Sequence, residues 1–167
     1  ENRTTTFPYS KKIVLTSTPT NEDSLINHEF LKGTQEEYYC PCPHCGGLQT
    51  FNFKKGLKYE TLRGENNKVI PESVYYECEF NQCQIYEVNK QDMMIKGQWQ
   101  VLNPEGEFPS FRINILYSPW KKWHEVVQKY LEALKDRAEM KTFINTYLGE
   151  VFIEDNTGVD VDELIKR

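Results

Sequence analysis

A chain of 167 residues with net charge −5, 38% hydrophobic and 27% charged, can bury one ordinary core or two small ones, and a multi-domain machine will not fit. Abundant aromatics and the lack of any polar low-complexity tract mark a folded protein rather than a disordered one. No apolar run reaches the roughly 18–20 residues that cross a bilayer, and the N-terminus lacks the basic-then-apolar layout of a signal peptide, so a cytoplasmic location is expected; the acidic balance argues against a free-standing nucleic-acid binder.

The chain opens at Glu1 without a methionine, in a segment that leads straight into a strand-like run; we expect a fragment of something longer. Lys12-Ile13-Val14-Leu15-Thr16 reads as a short apolar strand. Ser17-Thr18-Pro19-Thr20 follows it, and Asn21 to Ser24 can cap a helix that runs through Phe30 to Gly33. A hydroxyl-rich loop at the carboxyl end of a buried strand is where α/β proteins place ligand contacts. The same residues also make an ordinary helix cap.

Five cysteines come next, four of them in two close pairs, Cys42-Pro-His-Cys45 and Cys78-Glu-Phe-Asn-Gln-Cys83, with 32 residues between the pairs. A short gap lets both thiolates of a pair point at one tetrahedral centre at about 2.3 Å, and turn amides can donate to the sulfurs. Gly46 and Gly47 suit a tight knuckle. Strand signals flank both pairs: Tyr38 and Tyr39, Leu48 to Phe53, Val74 to Tyr76, and Ile85 to Val88. The sum is a zinc ribbon, two hairpins clamped tip to tip on one structural zinc held by Cys42, Cys45, Cys78 and Cys83. Such a site is closed to substrate, so the metal is a staple for a segment with few aliphatic residues. A rubredoxin-like iron site uses the same ligands. Disulfides are disfavoured in a reducing compartment, and a redox dithiol wants a helix starting at its first cysteine. Cys40 could replace Cys42 but reads as a spare strand thiol; His44 could be a ligand, but four thiolates already complete the shell, and it reads as an exposed turn residue. Lys54, Lys55, Lys58 and Arg63 lie between the pairs among acidic neighbours, as on an ordinary solvated surface.

Downstream, Asn89 can cap a short helix with Met93 and Met94 that Gly97 ends, and Trp99 with Val101 begins an extended piece. Ser110 to Leu116 alternates Phe111, Ile113 and Ile115 with Arg112 and Asn114, the pattern of a half-buried strand. From Trp120, the positions Trp123, Val126, Val127, Tyr130, Leu131 and Leu134 follow helical spacing. A second helical stretch carries Met140, Phe143, Ile144, Tyr147 and Leu148, and Gly149 stops it. After Glu154 the chain turns polar; Asp155, Asp160 and Asp162 read as solvated.

The order of segments resembles the large terminase subunit of tailed phages and prophages, of the lambda-like GpA type. The matching pieces are Arg3-Thr4-Thr5-Thr6-Phe7, Lys12-Ile13-Val14-Leu15, Ser17-Thr18-Pro19-Thr20, Tyr39 with Cys42-Pro43-His44-Cys45-Gly46, Tyr76-Glu77-Cys78, Gly97-Gln98-Trp99, Phe111 to Asn114 with Leu116 to Pro119, and Asn145 to Glu150. Each is short; eight in order are specific. The second cysteine pair departs from the family, where two residues usually separate the ligands, and a member that keeps the hairpins without zinc is the alternative.

The resemblance implies an ATP-driven DNA-packaging motor and nuclease of the host cytoplasm, with ATP, Mg²⁺, viral DNA, the small terminase subunit and the portal as cofactors and partners of the full-length parent and no membrane. It implies that Ser17, Thr18 and Thr20 couple nucleotide state to movement. The chain has no Gly-x-x-x-x-Gly-Lys-Ser/Thr loop to cradle phosphates and no apolar strand ending in Asp-Glu, so no catalytic residue is assigned. The expected fold is α+β: zinc-ribbon-like β-hairpins followed by a helical connector, with an N-terminal strand-loop-helix left over from an α/β ATPase core. The boundaries are 1–37 for the ATPase edge, 38–102 for the ribbon, 103–154 for the strand and helical connector, and 155–167 for a linker toward the missing nuclease domain. The alternative reading is a zinc-ribbon module that contacts DNA or the small subunit itself.

Overall fold

The computed structural model describes residues 12–62 and 68–153; the expectations for Arg3 to Phe7, Arg63 and the tail aspartates lie outside these. The expected strand at Lys12 to Thr16 does not form. Residues 12–20 are neither helix nor strand, and Ile13, Val14 and Leu15 are exposed. A strand exists only where a neighbour completes its ladder, and no described strand pairs with this run. The helix α1 (Leu25–Lys32) follows as expected, closed by Gly33, whose N–H reaches Glu29 O and Phe30 O.

The fold is mixed α and β with small antiparallel sheets. Strand β1 (Glu36–Pro41) pairs antiparallel with β2 (Leu48–Gln49) around the first cysteine pair. It also pairs antiparallel with β8 (Gln98–Gln100) and parallel with β9 (Phe111–Arg112). A one-turn helix α2 (Phe53–Gly56) leads into β3 (Leu57–Lys58); β4 (Thr61–Leu62) and β5 (Lys68–Val69) pair antiparallel on their own, and β3 joins β6 (Tyr75–Glu77) and β7 (Gln84–Ile85) in a further sheet around the second pair. Helix α3 (Lys90–Ile95) starts at Asn89, which makes no side-chain cap bond.

Two sequence patterns give way to tertiary packing. The half-buried strand expected from Ser110 to Leu116 is only β9 long; Phe111 and Ile113 are exposed, and Asn114 starts a 3-10 turn over Ile115–Tyr117 by accepting Leu116 N–H at 2.9 Å. Helix α4 (Trp123–Ala133) begins three residues after Trp120, which is exposed. Its first turn is set by two carboxylates: Glu87 accepts Trp123 N–H at 2.6 Å and Glu125 accepts Lys122 N–H at 3.0 Å. Helix α5 (Arg137–Thr142) runs on as a π-helix over Phe143–Leu148, and Gly149, at φ +64°, terminates it in the left-handed region.

Hairpins and helices share one buried cluster. Phe51 is its hub, with ring centroids 4.9 Å from Tyr117, 5.2 Å from Tyr76 and 5.5 Å from Trp123. The polar tips are all satisfied, as buried aromatics require: Tyr117 Oη donates to Tyr38 O and accepts Phe51 N–H, Tyr76 Oη donates to Thr50 O and accepts Asn52 N–H, and Trp123 Nε1 donates to Leu116 O. Lys90 is buried yet paired, its ammonium 3.0 Å from Glu87 and 2.7 Å from Lys121 O. The cysteine pairs thus sit against a buried aromatic core.

Candidate metal centre

Each cysteine pair sits in the loop of its own hairpin, and the two loops have the same backbone. In the first, Cys42 N–H donates to Gly47 O at 2.8 Å and Gly46 N–H returns to Cys42 O at 2.9 Å. In the second, Cys78 N–H donates to Cys83 O and Gln82 N–H returns to Cys78 O, both at 3.0 Å. The fifth residue of each loop has positive φ, Gly46 at +74° and Gln82 at +52°. The second cysteine alone differs in place: Cys45 is the fourth residue of its loop, whereas Cys83 is the sixth, in the place of Gly47. The wide spacing is therefore a relocated sulfur on an ordinary knuckle, not a longer loop.

The four sulfurs of Cys42, Cys45, Cys78 and Cys83 lie within 4.8 Å of one another. The Cys45 and Cys78 sulfurs are 3.6 Å apart, close to the roughly 3.8 Å edge of a tetrahedron of thiolates about 2.3 Å from a zinc ion. The donor set therefore fits a four-coordinate thiophilic metal. Cys40, buried on β1, lies outside the cluster.

Electrostatics divide the thiols. Burial pushes the Cys42 thiol up to about 12, while the N–H groups of Cys45 and His44 favour its thiolate. The Gly47 N–H brings Cys45, which is exposed, down to about 7. Burial raises Cys83, and raises Cys40 to about 12.

Three contacts lock one knuckle on the other. His44 Nε2 lies 3.1 Å from Gln84 O, which follows Cys83. Gln49, next to the first knuckle, accepts the N–H of Glu79, which follows Cys78, at 3.0 Å. The Phe80 ring covers Gly47 so closely that a Cβ there would lie 2.4 Å from it. His44 was legible only as a turn residue, and Gln49 had no signal at all.

The hydroxyl-rich loop lies elsewhere. Ser17, Thr18 and Thr20 are exposed; Ser17 and Thr18 line a cleft of about 790 Å³ with Leu15, Phe30, Phe111 and Ile113, and no cysteine borders it. Thr20 is held through its carbonyl by the buried Asn145, whose Nδ2 donates at 3.1 Å while its Oδ1 accepts Phe152 N–H at 3.1 Å. Of the basic residues between the cysteines, Lys54 and Lys55 lie in the last turn of α2 and Lys58 is 3.4 Å from Glu77. Among the described residues no helix is long and apolar enough to cross a membrane.

Residues 1–99 match the family model of the phage terminase large subunit gpA, ATPase domain, and residues 108–167 match that of the terminase large subunit gpA, endonuclease domain. The chain is 33% identical over 147 residues to the terminase large subunit of Enterobacteria phage P21, which covers 77% of this chain and 22% of the relative. It is 29% identical over 132 residues to that of Escherichia phage lambda, covering 69% of this chain and 20% of the relative. The chain spans about one fifth of the length of these curated relatives. No solved structure matches it.

Proposed function

Because this chain belongs to the GpA family of phage terminase large subunits, we propose that it is a zinc-stapled connector between the ATPase and nuclease parts of such a subunit, whose whole is an ATP-driven DNA-packaging motor. The observation that carries the reading is the four-sulfur cluster built on two matching knuckles. Zinc is the metal that four thiolates in tetrahedral array favour in structural sites, and a completed shell leaves no position for water or substrate. The ion joins two hairpin tips that have little aliphatic packing of their own, which offsets part of the chain entropy of ordering them.

The domain order follows from the same reading. In this reading residues 1–37 are the edge of the ATPase part, 38–102 the ribbon, 103–154 the strand and helical connector, and 155–167 a linker toward the nuclease; the two family matches divide the chain between residues 99 and 108, with the ribbon on the ATPase side and the connector helices on the endonuclease side. Ser17, Thr18 and Thr20 stand at the ATPase edge to sense the γ-phosphate of an ATP·Mg²⁺ held by other parts of the parent; the tie from Thr20 through Asn145 to Phe152 supports a mechanical link from that loop toward the nuclease side. Viral DNA, the small terminase subunit and the portal are partners of the full subunit in the host cytoplasm.

The second reading, a ribbon that grips DNA or the small subunit through Lys54, Lys55 and Lys58, has less support, since Lys58 is already paired with Glu77. ATPase and nuclease assays on the isolated chain, with salt-dependent DNA binding measured alongside, test the two together. No turnover and no binding sensitive to charge reversal at the three lysines are expected. Turnover that survives contaminant controls overturns the connector reading, and lysine-dependent binding favours the second.

A further inference from the structure

Gln49 carries a buried group that the cluster alone does not explain. Its side chain is 1% exposed, its Oε1 accepts Glu79 N–H, and its Nε2 has no hydrogen-bond partner. The amide cannot be turned round to relieve this, because a backbone N–H needs the oxygen end as its acceptor. An unpaired buried donor in a folded protein calls for a reason, and an acceptor supplied by a ligand or ion is one.

The position of Gln49 supplies that reason. It is the last residue of β2, just past the first knuckle, and it grips the residue next to the ligand Cys78. Four thiolates around a divalent cation keep a net negative charge, which N–H donors around the sulfurs stabilise. A buried donor without an acceptor is thus held on the backbone next to Cys78, and a charged thiolate cluster recruits N–H donors. We propose that Gln49 is a positioning residue of the metal centre: its oxygen holds the Cys78 knuckle on the first hairpin, and its NH₂ donates to a thiolate of the loaded cluster, Cys78 being the ligand beside the backbone it grips. This rests on the metal reading above.

The test replaces the native metal with cadmium-113 in nitrogen-15-labelled protein. A cadmium shift typical of four sulfurs is expected, together with scalar coupling between cadmium and a Gln49 side-chain amide proton. Competition titrations then compare Gln49→Met, which removes both ends of the amide, with Gln49→Glu, which keeps the oxygen for Glu79 N–H but replaces the donor with negative charge. Affinity falls roughly tenfold to a hundredfold in both, with Gln49→Glu at least as weak. Cadmium held by four sulfurs without coupling to Gln49, or native affinity in Gln49→Glu, overturns the role of Gln49 and leaves the metal centre standing. No cadmium binding by the unsubstituted protein overturns both. The coupling measurement does not depend on either variant folding.

Discussion

The sulfurs of Cys45 and Cys78 stand 3.6 Å apart although 32 residues lie between them. Nothing local brings them together. Each is fixed by its own hairpin, and the hairpins meet because Phe51 and Tyr76, which flank the two loops, pack on each other and on Trp123.

The inequality between the thiols is measurable in metal-free protein. Cys45 is exposed and brought down to about 7 by Gly47 N–H, whereas burial holds Cys42 and Cys40 near 12. The thiolate is the reactive form, so Cys45 alkylation accelerates as pH rises from about 6 to about 8 and levels off above that. Mass mapping after a brief iodoacetamide pulse at neutral pH should find Cys45 modified first; prior modification of Cys42 contradicts the assignment. Metal loading suppresses the reaction at both.

Tyr117→Phe isolates the hydroxyl that joins the first sheet to the core. The change leaves Phe51 N–H without its 2.8 Å acceptor and Tyr38 O without its donor. A buried orphan of this kind costs about 1–3 kcal/mol, to be read as a lower urea midpoint at unchanged slope. Unchanged stability is the result that counts against this account of the junction.

Gly149→Ala tests the helix terminator. Alanine has to hold φ near +64° and place its Cβ 3.2 Å from Ile113 O. The left-handed conformation alone costs about 1–2 kcal/mol for a residue with a Cβ. Thermal unfolding measures it, and a neutral result means the π-helix ends differently in solution.

The clustering of the four cysteines was legible because close spacing is a local property of the chain, and so were α1, α4 and the glycine stop, which follow apolar period and the glycine C-cap. The equivalence of the two knuckles was not. It lies in backbone hydrogen bonds and in Gln82 taking a left-handed conformation where the first loop uses Gly46, so the relocated sulfur showed only as an unusual spacing. Phe111 and Ile113 misled for another reason: alternation reports a strand with one buried face, and here that run leaves its apolar side chains exposed, with Phe111 against Trp99. Gln49 and Asn145 bind backbone from distant segments, and no short pattern announces such contacts.

The zinc content of the purified protein tests the central claim most directly. One equivalent per chain is predicted, falling steeply in Cys45→Ser and in Cys83→Ser, since each removes one of the four sulfurs that lie within 4.8 Å of one another. Zinc well below one equivalent in the unsubstituted protein, prepared without chelator, contradicts the staple and leaves the four cysteines as thiols on two paired hairpins.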